Sequence, residues 1–327
     1  MKFPSVANRR VAALALLAAL LPTGLSAQER FPSRPVKIVV GSEAGSAPDI
    51  LARALSNEMG QVLGKSVVVE NRAGATGTIG ATAVVNSAPD GYTLLMGTVS
   101  NVALAPAFYP VKYDPARSFT PVGMVASVPL VLVASTASGI QNIAQLAAKA
   151  RSANPSMGYA SPGVGGPQHL AGVLLEKMLE SQMLHVPFKS GGAAMTAVAS
   201  GEVPLAFAGI PAAAGLIRGG KVTPLFVTVP KRSVALPEVP TAAEAGAPAL
   251  HIDNWHALLA PAGLPPDVRA VLESALQKAL NVPAVREQFQ KVGAEASPGS
   301  SKQLEDFVVS ESARWLKVVT DNKIKVE

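Results

Sequence analysis

Three stretches of this chain set glycine and small polar residues immediately ahead of a helical pattern, an arrangement suited to holding an anion. They are Gly41–Asp49 (GSEAGSAPD), Asn71–Gly80 (NRAGATGTIG) and Tyr159–Gly172 (YASPGVGGPQHLAG). A helix start leaves backbone N–H groups unpaired and carries the positive end of the helix dipole, and glycine lets a ligand approach the backbone closely. The first stretch offers Ser42, Glu43, Gly45, Ser46 and Asp49 as site candidates, the second Thr76 and Gly77, the third Ser161, Gly165, Gly166 and His169. Thr98, Ser100 and Asn101 follow the apolar run that ends at Met96, and Phe188 follows another at Val186-Pro187. Each has a plainer reading beside the functional one. Asp49 and the hydroxyls of Thr76 and Thr78 suit helix capping, Phe188 suits a core, His169 suits packing at a helix start, and Arg53 suits an ion pair.

Covalent chemistry finds little support. No serine stands in a G-x-S-x-G elbow. Gly64-Lys65-Ser66 has Met59 where a P-loop needs its first glycine, and it follows a helical pattern instead of a strand. Gly74, Gly77 and Gly80 are spaced G-x-x-G-x-x-G, which is not the dinucleotide fingerprint. The four histidines, His169, His185, His251 and His256, show no metal-binding spacing, and there is no cysteine. Neither enzymatic activity, nor a cofactor, nor a metal is expected.

Composition narrows the class further. The formal charge is +6, but the first 27 residues carry Lys2, Arg9 and Arg10 and no acid, leaving 25 basic against 22 acidic residues beyond them. The basic residues are scattered and aromatics make up 5%, so nucleic-acid binding is not expected. Those first residues read as an export signal: a basic start, the apolar run Val11–Leu21, and Leu25-Ser26-Ala27 before cleavage at about Ala27. The apolar run is short of the roughly twenty residues of a membrane span. The expectation is a periplasmic, monomeric protein released after cleavage, with no lipid anchor because no cysteine follows.

The elements that must position the loops alternate between strand and helix, which predicts an α/β fold. Strands are expected at Val36–Val40, Val67–Val69, Tyr92–Met96, Met157–Ala160, Leu184–Pro187, Val203–Ala208 and Thr223–Val229. Helices are expected at Asp49–Leu63, with Leu51, Leu55, Met59 and Val62 as its apolar stripe, and at Ile79–Val85, Ile143–Ala150, His169–Leu179, Ala193–Ala199 and Ala212–Arg218. A short helix is expected at Ala242–Ala245, and three more at Pro265–Leu280, Ala284–Val292 and Lys302–Val319. Two longer apolar segments, Val122–Ala134 (interrupted by Pro129) and His251–Leu259, suit strands that cross between lobes. Residues 28–125 with 253–327 are accordingly assigned to one lobe and 126–252 to the other, with a ligand crevice between them at the strand ends.

Several segments together resemble the substrate-binding proteins of the tripartite tricarboxylate transporter family, the Bug-type periplasmic receptors. Val67–Met96 is similar to their V-V-V-E-N-R-P-G-A-G-G-x-I-G run followed by A-P-D-G-Y-T-L-L, with Ala73 in place of proline. The third glycine stretch resembles Y-x-S-x-G-x-G-S-x-H-L-A-G, with Pro167 where serine is common. His185–Ala193 resembles H-V-P-Y-K-G-x-x-A, and PEVPTAAEAG and NWHALLAPAGLP also match family segments. The first loop departs most from the family's P-F-x-P-G-G-x-x-D. Gly41-Ser42, Ala44 and Ser46 replace the Pro-Phe, the proline and the second glycine, and Glu43 stands where a small residue is usual.

The resemblance covers nearly the whole chain after Pro32. It implies a two-lobed binding-protein fold of the type II kind, with two crossover strands and mostly parallel sheets flanked by helices. It also implies that loop amides and ordered water hold a ligand carboxylate, and that membrane transporter subunits receive the cargo. The ligand is expected to be a small carboxylate or an acid bearing an amine or amide. A ligand-presenting sensor of the same fold, serving a signalling partner, is the alternative.

Overall fold

The computed structural model describes residues 31–324, so the expected export signal lies outside the described residues. The first units are β1 (Val36–Val40), α1 (Ala47–Leu63), β2 (Val67–Asn71), α2 (Thr78–Val85) and β3 (Thr93–Thr98). A π-helical turn, Val99–Leu104, and α3 (Ala105–Phe108) lead to β4 (Phe119–Ser135). Next come α4 (Ile143–Ser152), β5 (Gly158–Ser161), α5 (Pro167–Leu179), β6 (Leu184–Pro187), α6 (Gly191–Ser200), β7 (Leu205–Gly209), α7 (Ile210–Arg218) and β8 (Val222–Val227). The chain finishes through β9 (Asp253–Pro261), α8 (Pro266–Leu280), α9 (Pro283–Lys291), β10 (Glu295–Ala296) and α10 (Ser301–Asp321).

β1 is rich in valine and isoleucine and almost wholly buried, as a strand covered on both faces requires. It pairs in parallel with β2 and with β3. α1 covers this sheet with Leu51, Leu55 and Met59, spaced four apart, and stops at Gly64, whose φ of 67° suits a residue without Cβ. Val62, expected on the same stripe, is 41% exposed. The second half repeats the pattern, with β5 parallel to β6 and to β7.

Two strands join the halves. β4 pairs with β9 from Phe119 to Pro129, then with β7 and β8 from Leu130 onward. Pro129 does not interrupt the strand; it stands opposite Asp253 where β4 passes from one sheet to the next. Both joining strands run antiparallel to their neighbours, so the sheets are mixed: parallel within each α/β unit and antiparallel at the seam. The architecture is thus the expected two-lobed α/β fold.

The core follows this division. Val36, Ile38, Leu55 and Leu94 pack with Leu272 and Leu276 of α8, while Val131, Val133 and Val227 pack with Met195 and Val198 of α6. A third cluster, including Trp255, Trp315, Leu132 and Phe207, ties β4, β9 and α10 together. Residues 242–246 form turns, not the expected short helix: Thr241 and Glu244 cap a single turn through each other's backbone N–H groups, and Gly246, at a φ of 83°, ends it at once. No helix among the described residues is long and apolar enough to cross a membrane.

Candidate functional site

A cleft of about 470 Å³ opens where the loops after β1, β2 and β3 meet β9 and the start of α5. Gly41, Ser42, Glu43, Ala47 and Pro48 line it after β1, and Ala73, Gly74, Thr76 and Gly77 after β2. Thr98, Ser100 and Asn101 follow from the end of β3, Pro167 and Gln168 from α5, and Asn254 and His256 from β9. The start of α1, the approach to α2 and the start of α5 therefore converge on one space.

The floor depends on the absence of side chains. A Cβ on Gly41 would stand 2.8 Å from both the Cα and the carbonyl oxygen of Gly77, and Gly77 has a φ of +85°. The Asn101 amide fills the gap left between them. Its Oδ1 accepts the Thr98 N–H at 2.8 Å, Thr98 Oγ1 accepts the Asn101 N–H at 3.2 Å, and the Tyr113 hydroxyl donates to the Asn101 carbonyl. This reciprocal cap fixes the π-helical turn and sets the Asn101 Nδ2 against Gly41 and Gly77. Ala75 and Thr76 both adopt positive φ, 47° and 56°, an uncommon conformation for residues with side chains.

Asp49 is buried beneath the first loop, outside the cleft. Its carboxylate accepts the Gly45 N–H at 2.9 Å, the Asn71 Nδ2 at 2.9 Å and the Arg53 Nε at 3.0 Å. Burial pushes the Asp49 carboxyl up, but the hydrogen bonds from Arg53, Gly45 and Asn71 together outweigh it, leaving it below the usual carboxylate range. Asn71 also donates to the Ser42 carbonyl at 3.0 Å. Ser46 turns inward on the loop, donating to the Glu43 carbonyl at 2.7 Å and lying 2.7 Å from the Ser42 hydroxyl. Gly45, Ser46 and Asp49 thus shape the loop from behind, while Ser42 and Glu43 face the cleft. Thr78 is likewise spent within its loop, donating to the Ala75 carbonyl at 2.9 Å.

The third loop presents different residues from those singled out in sequence. His169 points back into the protein, where its Nδ1 accepts the Gly165 N–H at 3.0 Å and its ring stacks on His185 with centroids 4.1 Å apart. Burial, and then the neighbouring His185, push the His169 imidazole down to about 4, so it is neutral. Ser161 is fully buried with its hydroxyl 2.6 Å from His185 Nε2. Gly166 caps α5 and Phe188 packs against the second core. Ser161, Gly165, Gly166, His169 and Phe188 do not line the cleft; Pro167 and Gln168 do.

Asn254 and His256 are the wall residues that the sequence reading passed over. They flank Trp255, and a strand's two-residue period puts both on the face opposite that indole, which packs on Phe307. That alternation was the available signal. His256 is 2% exposed, burial pushes it down to about 4, and its Nδ1 has no hydrogen-bond partner in the protein. Among the described residues that line the cleft, none is Lys or Arg, and Glu43 is the one carboxylate.

Residues 51–324 match the family described as "Tripartite tricarboxylate transporter family receptor". The periplasmic binding protein BugD is 32% identical, with a TM-score of 0.71, covering 91% of this chain and all of BugD. MatC of Rhodopseudomonas palustris, solved with malate bound, is 32% identical with a TM-score of 0.72, covering 88% of this chain and all of MatC. Another R. palustris protein, solved with adipate, is 31% identical with a TM-score of 0.73, covering 90% of this chain and 99% of that protein. The two-lobed architecture, the cleft between its sheets and a family match over most of the sequence converge: this chain belongs to the tripartite tricarboxylate transporter receptor family, the Bug type of periplasmic solute-binding protein.

Proposed function

We propose that this receptor captures a small organic acid in the cleft and hands it to the membrane subunits of a tripartite transporter. The observation that carries this reading is the convergence of helix starts on a cleft whose lining, among the described residues, includes no Lys or Arg. Ser46, Gly77 and Gly166, the N-cap residues of α1, α2 and α5, give their helices no side-chain cap. Backbone N–H groups and helix dipoles are therefore what the cleft offers an anion.

In this reading a carboxylate rests on amides around Gly41, Ser42 and Gly77, with Thr76, Thr98, Ser100 and the Asn101 amide as side-chain donors. Gln168, Asn254 and His256 meet it from the other side. The malate and adipate bound by the two R. palustris proteins support a carboxylate as the cargo. The change of sheet within β4 supports a lobe of 28–125 with 253–327 and another of 126–252, hinged where β4 and β9 cross. The protein acts as an exported monomer, cleaved near Ala27, and it releases its ligand unchanged.

A thermal-shift screen of monocarboxylates, dicarboxylates, hydroxy acids and amino acids tests the proposal, since a ligand that binds the folded state alone raises Tm by mass action. Stabilisation by acids supports it. Stabilisation by nonacidic compounds alone overturns it.

A further inference from the structure

Among the described residues lining the cleft that serves an anion, a negative side chain is the only fixed charge. Glu43 lines it, is exposed, and takes part in none of the ion pairs among the described residues. The basic groups closest in sequence are engaged elsewhere: Lys37 with Glu70 at 2.6 Å, Arg34 with Asp90 at 3.1 Å and Arg53 with Asp49 at 3.0 Å. His256 contributes no cation either, because burial holds its imidazole neutral around pH 7. Helix starts satisfy one carboxylate well, but a second would have to settle beside Glu43 with no counter-ion. Like charges a few ångströms apart in a partly closed cleft repel strongly. The polar groups at the wall, by contrast, suit a ligand that carries N–H groups. Asn254 brings an amide oxygen, Glu43 two acceptor oxygens, and the neutral His256 a ring that is 2% exposed and whose Nδ1 is unpartnered.

We propose that this receptor selects acids whose second end is a hydrogen-bond-donating nitrogen, an ammonium or an amide, and discriminates against the matching dicarboxylates, with Glu43 setting the preference. This rests on the reading of the cleft as a carboxylate site. It differs from what the malate- and adipate-bound relatives alone would suggest, and Glu43 is the residue responsible.

The test measures binding by calorimetry at pH 7.5 for two matched sets. One is adipate, its monoamide and 6-aminohexanoate; the other is succinate, succinamate and 4-aminobutanoate. In at least one set the nitrogen-bearing acid is expected to bind tenfold or more tightly than the dicarboxylate. Glu43→Gln should weaken the amino acid about tenfold and strengthen the dicarboxylate by a similar factor, with Tm unchanged because Glu43 is exposed. Amides that bind best, with little response to Glu43→Gln, would assign the preference to Asn254 and His256 and overturn the role of Glu43. Dicarboxylates that bind wild type as well as or better than their partners overturn the inference while leaving the carboxylate reading intact. Failure of every acid in both sets to bind overturns the carboxylate reading, and the inference with it.

Discussion

The buried Asp49 carboxylate accepts the Gly45 N–H at 2.9 Å, so a side chain that never enters the cleft holds the loop that forms its edge. Arg53 and Asn71 complete the cluster, and Asn71 ties it to the Ser42 carbonyl. Removing the carboxylate leaves these donors without their acceptor. Asp49→Ala is expected to cost about 2 kcal/mol of stability and to weaken ligand binding roughly tenfold by loosening Ser42 and Gly41. The Asp49 carboxyl lies below its ordinary value in the fold, so its contribution is full above the unfolded value near 3.8 and is lost as pH falls through the folded one. Denaturation of wild type and variant at pH 7 measures the loss; equal stabilities, or an unaltered affinity, would show the cluster to be incidental.

Gly41 and Gly77 are expected to be the least replaceable residues of the cleft. A methyl on Gly41 meets the Gly77 backbone at 2.8 Å, and backbone cannot swing aside as a flexible side chain can. Gly41→Ala should therefore displace the second loop, lowering Tm by several degrees and abolishing detectable binding. Gly45 makes a control for conformation alone, since its φ is +81° yet nothing lies within 4 Å of where its Cβ would stand. Gly45→Ala should cost about 1 kcal/mol and retain binding. Similar binding defects in the two variants would contradict the steric account.

His169 should reveal itself through pH. Its folded value, about 4, lies below the 6.5 of an unperturbed imidazole, so the unfolded chain takes up the proton first. The contribution is complete above 6.5 and declines as pH falls from 6.5 toward 4, by up to about 3 kcal/mol. His169→Leu strands the Gly165 N–H and is expected to cost about 2 kcal/mol at pH 7.5, with a smaller penalty at pH 5. Urea denaturation at both pH values checks this; a pH-independent difference would mean that the imidazole does not titrate as described.

Asp253 behaves in the opposite sense. It sits on β9 where the strands cross, accepting the Ser127 hydroxyl at 2.6 Å. Burial pushes its carboxyl up to about 6, with Glu311 and Glu295 adding to the shift and Ser127 resisting it. The folded state holds this proton more tightly than the unfolded one, so stability declines as pH rises from about 3.8 to 6 and the penalty is complete above that. Asp253→Asn keeps an acceptor for Ser127 and is expected to stabilise the protein by about 1–3 kcal/mol at pH 7.5 and to change little at pH 4. A destabilised variant at pH 7.5 would show that the charge is better accommodated than its burial implies.

What could be read from sequence divides along the distance over which each feature is determined. β1, α1 and the strands around α2 carry their patterns locally, in the Val36–Val40 run, the Leu51–Leu55–Met59 spacing and the Asp90-Gly91 turn, and each forms as the pattern requires. The first two glycine loops were legible for the same reason. His169 was legible as a helix-start residue, but its direction depends on the Gly165 N–H and on the His185 ring, which come from loop geometry and a neighbouring strand. Asn254 and His256 reach the cleft only because β9 pairs with β3 and β4, a contact between distant segments that composition does not announce. Arg53 illustrates the useful middle case, since an i,i+4 partner on the same helix, Asp49, is visible in sequence and forms.

The pairing of Pro129 with Asp253 also makes the molecule modular in a practical sense. The chain departs from the first sheet and rejoins it at a single rung of the β4–β9 ladder, and α4 through α7 with β5 through β8 lie between those two points. A chimera exchanging residues 130–252 with a relative therefore needs two splice sites that are neighbours in space and one register to preserve. Such a graft would bring Pro167 and Gln168 from the donor while keeping Glu43, Asn101, Asn254 and His256 from the host. Ligand preference in reciprocal chimeras would then report which side of the cleft reads the cargo.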